Sequence, residues 1–355
     1  MRPPTEDRRR PMTRDEIIRW LVEQDSEALG SLWRRADEVR REHVGDAVHL
    51  RGLVEISNHC VRRCAYCGIS VNNREIVRYR MTPDEIMECV RQAVALAYGT
   101  VVLQAGEDYG IGREWLTDLV RRIKTESALA VTLSLGERPD EDLAAWREAG
   151  ADRYLLRFET SDAALYERIH PSLPGRSSTR FAILRRLAEL GYEVGSGVMI
   201  GIPGQTYGSL ADDLKTFAEM DLDMIGVGPY LPHPATPLGR GGLPEAPPGE
   251  QVPNSELMTY KVVALARLVD PDANIPSTTA LATLNLKDGR ELGLARGANV
   301  VMPNLTPTKY RALYEIYPDK ACIREAAAQC GTCLSGRIEG MGRTVGEGPG
   351  GRRHS

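Results

Sequence analysis

From Val48 onward, short runs rich in Val, Ile and Leu alternate with stretches in which apolar side chains recur every three to four positions. The first pattern predicts strands and the second amphipathic helices, so the alternation implies parallel β/α units. Eight strands are expected, over residues 48–57, 100–106, 130–136, 153–160, 193–201, 224–232, 274–280 and 298–304. Between the first two, Thr82 can cap a helix with Pro83 at its first position and Asp84 and Glu85 in its first turn. Ile86, Val90 and Val94 would share its buried face. Leu210, Leu214 and Phe217 repeat that period later in the chain. With further helices between Thr13 and Glu42, the pattern predicts an α/β fold: a complete (β/α)8 TIM barrel with an N-terminal helical extension. Residues 1–47 would form an arm and the helical extension, and 48–335 the barrel. Residues 336–355, Gly-rich and polar, would be a flexible tail with too little apolar surface to order itself.

Composition narrows the class of protein. Of 355 residues, 42% are hydrophobic and 26% charged, which fits a soluble globular chain, and a net charge of −4 offers nothing to a nucleic acid. No apolar run is long enough to span a bilayer or to form a signal-peptide core, so no membrane is implicated and the cytoplasm is expected. Six of the seven cysteines fall in two tight groups, a distribution that suits thiolate ligands in a reducing compartment rather than disulfides.

The first group, Cys60, Cys64 and Cys67, has C-x3-C-x2-C spacing. Three thiolates are one fewer than a closed metal site needs, and on a four-iron cluster they leave one iron open for chemistry. A zinc knuckle is the competing reading, but structural zinc usually takes four ligands in paired C-x2-C groups. The nearest other cysteine, Cys89, falls in an expected helix as a core thiol. The loop follows the first strand, and barrel active sites lie at strand C-termini. Barrel lumens are usually apolar, yet Arg51 and Glu55 share one strand face, as do Thr132 and Ser134, and as do Arg153, Arg157 and Glu159. Gly195 and Gly197 would leave space opposite. A polar cavity for a small anion is expected, the alternative being an internal salt-bridge network such as Arg51 with Glu55.

The cysteine spacing, with Tyr66 before the last cysteine, resembles the signature of radical S-adenosylmethionine (SAM) enzymes. Further segments from about Ala36 to Cys333 resemble the HydE family of FeFe-hydrogenase maturases. They include Tyr79-Arg-Met-Thr-Pro83, Gln104-Ala-Gly-Glu-Asp108, Thr132-Leu-Ser-Leu-Gly-Glu137, Gly201-Ile-Pro-Gly-Gln-Thr206 and Gly297-Ala-Asn-Val-Val-Met-Pro-Asn304. The resemblance implies a [4Fe-4S] cluster on Cys60, Cys64 and Cys67 and a bound SAM whose reductive cleavage yields a 5′-deoxyadenosyl radical. It also implies SAM contacts from Glu159 and Arg180, with Tyr66, Gly106, Glu107, Ser134 and Met224 nearby. The implied anion and substrate pocket comprises Arg51, Gln104, Thr132, Arg153, Arg157, Thr278, Thr279, Met302, Tyr314 and Tyr317. Cys322, Cys330 and Cys333 (C-x7-C-x2-C) would carry an auxiliary [2Fe-2S] or [4Fe-4S] cluster, although a C-x2-C pair also suits zinc. The implied partners are a small anionic or organometallic iron-cysteine substrate from HydG, a HydF-type scaffold downstream and flavodoxin or ferredoxin as electron donor. Ala105 and Phe158 depart from the family, where serine and histidine are common. Rival readings are a mutase resembling methylornithine synthase, with biotin synthase more distant, and a non-catalytic iron–sulfur carrier.

Overall fold

The computed structural model describes residues 11–174, 179–321, 323 and 327–352, without the side chains of 327–333. Its strands are β1 (Ala47–Ser57), β2 (Thr100–Ala105), β3 (Ala130–Ser134), β4 (Arg153–Leu155), β5 (Glu193–Ser196), β6 (Met199–Ile200), β7 (Met224–Ile225), β8 (Gly228–Pro229), β9 (Val300–Val301) and β10 (Thr344–Val345). Seven of them pair in parallel in the order β9-β1-β2-β3-β4-β5-β7, a half-barrel, and β10 adds to the foot of β1. β6 and β8 form a second parallel pair beyond the ends of β5 and β7. Parallel strands covered on both faces read as continuous apolar runs, and nearly all of β1 is buried.

Helices cover the outside. Thr13 and Glu16 form a capping box at the start of Arg14–Val22, and Asp25 caps Ser26–Val44. These two helices pack on Tyr207–Glu219 and Glu256–Val269, respectively. Thr82 and Glu85 form the capping box of Pro83–Ala95, with Pro83 in the first turn. Ile86, Cys89, Val90 and Ala93 are buried on this helix, but Val94 is exposed, so the buried stripe ends on Ala93 rather than Val94.

Two expectations about the fold fail. Residues 274–280 are not a strand: Asn274 and Pro276 make single parallel bridges to Met224 and Val300, after which Thr278 caps a helix, Thr279–Leu284. Proline has no N–H to extend a ladder, and a threonine that accepts the N–H of Leu281 ends the extended segment. Residues 336–352 also differ from the expected frayed tail. The helix Ala327–Gly340 runs through the expected boundary, and residues 344–352 cross the base of the sheet. There Arg51 Nη2 donates to Gly350 O (3.0 Å), and Thr100 Oγ1 and Arg153 Nη2 donate to Pro349 O (3.0 and 3.2 Å). Arg352 lies 2.7 Å from Asp221 and 3.4 Å from Asp270. Hydrogen bonds and ion pairs order residues 344–352, with Val345 alone packed against the hydrophobic core. Among the described residues no helix is long and apolar enough to cross a membrane.

Candidate active site

The loop after β1 carries the first three cysteines, and one half-buried arginine organises it. Arg78 donates to the carbonyls of Asn58 (2.5 Å), Ile69 (2.7 Å), Ser70 (2.8 Å) and Asn73 (3.1 Å), clasping the loop on both sides of the cysteines. Gly106 allows the next strand to approach it, since a Cβ there would collide with the His59 carbonyl and Cys60 Cβ. Burial raises all three thiol pKa values, most strongly at Cys64; repulsion from the other thiols adds to it at Cys64 and Cys67, and the Glu107 charge at Cys60, and Cys67 is pushed up to about 12. Metal cations would reverse that shift by taking the sulfurs as thiolates. Among the described residues no three His, Cys, Asp or Glu groups close around a single ion. A donor set of three thiols from one loop fits three corners of a four-iron cluster and leaves the fourth to another ligand.

Behind this loop, acidic and basic side chains alternate in a chain. Arg62 lies 2.8 Å from Glu107 and 2.6 Å from Glu137, and Glu137 lies 3.1 Å from Arg180. The two carboxylates outweigh the effect of burial and raise the Arg62 pKa. Arg180 also donates to Arg157 O and meets His170 Nε2. Burial, then the adjacent Arg180 charge, pushes His170 down to about 2, so it stays neutral. Arg62 and His170 escaped the sequence reading, because partners this distant in the chain leave no local pattern.

A cavity of about 280 Å³ opens beside the loop. Cys67, Tyr66, Ser134, Glu159 and Met224 line it, together with Arg51, Gln104, Thr132, Arg157, Thr278, Thr279, Met302 and Tyr317. Ala105 is a lining residue as well. Glu159 accepts from Tyr66 OH (3.3 Å) and lies 3.0 Å from Arg157. Gln104 donates to Tyr314 OH (3.2 Å), which stands behind the wall. Gly106, Glu107, Arg180 and Arg153 lie outside the lining. Arg153 is turned toward the base, 2.6 Å from Glu193 and 3.0 Å from Thr100 Oγ1, so it does not share a face with Arg157 and Glu159 as expected. That strand ends at Leu155, and the period-2 argument stops with it. Phe158 packs on Phe181 and Phe217.

Arg51 does not pair with Glu55. Lys320 takes the Glu55 carboxylate together with Asn304, whereas Arg51 points Nη1 at Met224 Sδ (2.8 Å) and keeps a buried Nε without a hydrogen-bond partner among the described residues. Burial, then the charge of Arg153, pulls Arg51 down to about 9, although Glu193 opposes this. Thr132 Oγ1 is likewise buried and unpartnered among the described residues. A cation and a hydroxyl with spare donors at one end of a cavity can receive an anion.

Residues 54–217 match the Radical SAM superfamily. The chain is 45% identical over 345 residues to the "[FeFe] hydrogenase maturase subunit HydE" of Thermotoga maritima, covering 97% of this chain and 95% of that one. The chain belongs to the HydE family of radical SAM enzymes. The HydE family accounts for the donor set, since the superfamily brings a [4Fe-4S] cluster and SAM. A 3-methylornithine synthase of Methanosarcina acetivorans is 32% identical over 292 residues, 81% of this chain and 78% of that one. The crystal structure of methylornithine synthase (PylB) superposes with a TM-score of 0.79 at 27% identity, over 96% of this chain and 95% of that one. Of the second cysteine group, Cys322 lies outside the described residues, as do the side chains of Cys330 and Cys333.

Proposed function

We propose that this HydE-family chain uses reductive cleavage of SAM to act on a small anionic, iron-bound cysteine precursor during assembly of the FeFe-hydrogenase active-site cluster. The observation that carries the reading is that one cavity has Tyr66 and Cys67 in its wall and the spare donor of Arg51 at its base. When bound, the cluster and SAM supply one-electron cleavage and an adenosyl radical; the protein supplies position and enclosure. Cys60, Cys64 and Cys67 would hold the cluster. Tyr66, Ser134, Glu159 and Met224 would flank SAM, with the Glu159 carboxylate accepting from its hydroxyl or amino groups. Arg180 and Glu107 are occupied by protein partners, which supports orientation of the mouth over direct contact with SAM. Arg51 and Thr132 would receive the anion, with Arg157, Gln104, Thr278, Thr279, Met302 and Tyr317 shaping its chamber. Tyr314 would brace Gln104, and Arg153 would support the base.

Residues 57–80 carry five arginines against one acidic residue in a chain of net charge −4. Arg63 and Arg74 are exposed without ion-pair partners among the described residues, near exposed Val71 and Val77. That face suits transient docking of an acidic flavodoxin or ferredoxin. HydG as supplier, a HydF-type scaffold as recipient and an auxiliary cluster on Cys322, Cys330 and Cys333 complete the reading, as does closure of a full barrel through the bridges at Asn274 and Pro276. Cysteines of this kind fit a reducing cytoplasm.

Replacement of Cys64 by Ala is expected to abolish reductive cleavage of SAM by the anaerobically reconstituted protein; full cleavage by the variant rejects the assignment. A second reading, a lysine mutase of the methylornithine synthase type, draws on the likeness in fold and on the fit of Arg51 to a carboxylate. Mass analysis after incubation with lysine, or with the product of HydG, separates the two.

A further inference from the structure

Among the described residues four non-glycine residues have left-handed backbone: Ala97, Glu159, Asp221 and Asp319. Three are exposed, but Glu159 (φ 65°) is buried in the wall of the cavity. A costly conformation at a buried position persists only where its surroundings enforce it. Glu159 N donates to Gly197 O (3.0 Å) and its carbonyl accepts from Met199 N (3.1 Å). The next two residues are tied to one carboxylate on the helix Tyr207–Glu219. Asp213 Oδ1 accepts from Ser161 N (2.5 Å), Ser161 Oγ (2.7 Å) and Thr160 Oγ1 (3.3 Å). Gln205 Nε2 faces Asp213 Oδ2 (3.5 Å) and donates to Met199 O (3.0 Å), while Gln205 Oε1 accepts from Gly201 N (2.7 Å). Asp213 and Gln205 are completely buried.

We propose that ionised Asp213 is the positioning residue for Glu159: through Thr160, Ser161 and Gln205 it fixes the turn that aims the Glu159 carboxylate into the cavity, and its protonation loosens that turn and weakens SAM binding. The proposal rests on the reading of Glu159 as a SAM contact. Asp213 accepts in each of these contacts, and two of its partners, Ser161 N and Gln205 Nε2, can only donate, so the anionic form matches its surroundings. A proton on Oδ2 would set donor against donor at Gln205, and turning that amide would break its bonds to Gly201 and Met199. Asp162, Lys215 and the Arg14–Asp212 pair, the nearby charged groups, all reach solvent.

Burial pushes Asp213 up to about 7, against the opposing hydrogen bonds from Ser161, Thr160 and Gln205, so the switch falls near neutral pH. The sign separates positioning from stability. A buried acid with a raised pKa favours folding fully below its ordinary value of 3.8, and that contribution is lost as pH rises through about 7. SAM binding would gain over the upper part of the same range.

The test is SAM affinity of the anaerobically reconstituted protein between pH 6 and 8.5, with iron content and visible absorbance as checks on the cluster. The amino group of SAM titrates equally in every variant, so the ratio of wild-type to variant affinity is the readout. Asp213→Asn fixes the neutral form: the ratio is expected near one at pH 6 and roughly tenfold at pH 8. Glu159→Gln tests the underlying reading, since it must weaken binding throughout. Unchanged affinity there rejects Glu159 as a contact, whereas loss there with a flat ratio for Asp213→Asn overturns the positioning role alone. Should Asp213→Asn not fold, Ser161→Ala removes one donor to Oδ1, the Ser161 hydroxyl, and must move the midpoint of the profile to higher pH; an unmoved midpoint also overturns it.

Discussion

At the cysteine end of the sheet, Arg62 and Arg180 share the carboxylates of Glu107 and Glu137, and Arg157 lies against Glu159. At the base, Arg51 and Arg153 have one nearby carboxylate between them, that of Glu193. Of their other donors, Arg51 Nε has no partner among the described residues, and the rest meet the carbonyls of Pro349 and Gly350, the hydroxyl of Thr100 and the sulfur of Met224. Both ends bury guanidinium groups, but among the described residues only the first has a carboxylate for each of them. A buried charge left with dipoles as partners is costly, and a ligand of opposite sign recovers that cost on binding. The ion pairs at the mouth therefore serve to hold the cysteine loop, and the unbalanced charge at the base serves to receive something.

The largest effect is expected at the mouth. Arg62→Ala would leave Glu107 almost fully buried without its cation and Glu137 without one of two, which costs about 3–5 kcal/mol for a buried pair broken on one side. Urea unfolding of the cluster-free protein measures it, and a loss below about 1 kcal/mol would show that the loop does not depend on this network. The latch of the base comes next. Arg352 offsets Asp270, a buried acid whose pKa burial has already raised to about 6 despite that cation. Wild-type protein therefore loses stability from this group as pH rises from 3.8 through about 6. In Arg352→Ala the loss extends to higher pH. The variant should match wild type near pH 5 and fall short by about 1–2 kcal/mol at pH 8, since the partner Asp221 is largely exposed. A deficit independent of pH would contradict the ion-pair account.

The same contrast explains which features could be read from the sequence. Local signals survived: the Thr82 cap with Pro83 behind it, the stripe at Ile86 and Val90, and the strand runs that begin at Val48, Thr100 and Ala130 depend on neighbours a few residues away. The polar faces at Arg51 and Thr132 marked the cavity because alternation along a strand is also local. Pairing was not legible. Glu55 finds Lys320 across 265 positions, and Arg51 finds Gly350 across 299. Low apolar content predicts that residues 344–352 stay unordered, yet buried arginines donate to their carbonyls, and glycine lets Gly346 and Gly350 lie against His49. Asp213 was hidden for a related reason, since nothing along its helix marks it apart from other acids.

Two substitutions at the base probe the unbalanced charge itself. Arg51→Met removes a buried cation that has no carboxylate in hydrogen-bond contact among the described residues, so stability of the ligand-free protein should change by less than about 1 kcal/mol. Binding of a small anion such as thiocyanate should fall by at least about tenfold. A large loss of stability would mean that the cation supports the fold rather than a ligand. The smallest effect is expected at Thr132, whose buried hydroxyl lacks a hydrogen-bond partner among the described residues. Valine has nearly the same shape and discards the unsatisfied oxygen, so Thr132→Val should leave the ligand-free protein unchanged or stabilise it by up to about 1 kcal/mol. Calorimetric unfolding without and with the anion distinguishes the cases. If the hydroxyl is kept for a ligand, the variant gains stability alone and gains less than wild type from the anion. Destabilisation of the ligand-free variant would show instead that the hydroxyl serves the fold, and that the readiness of the base for an anion resides in Arg51 alone.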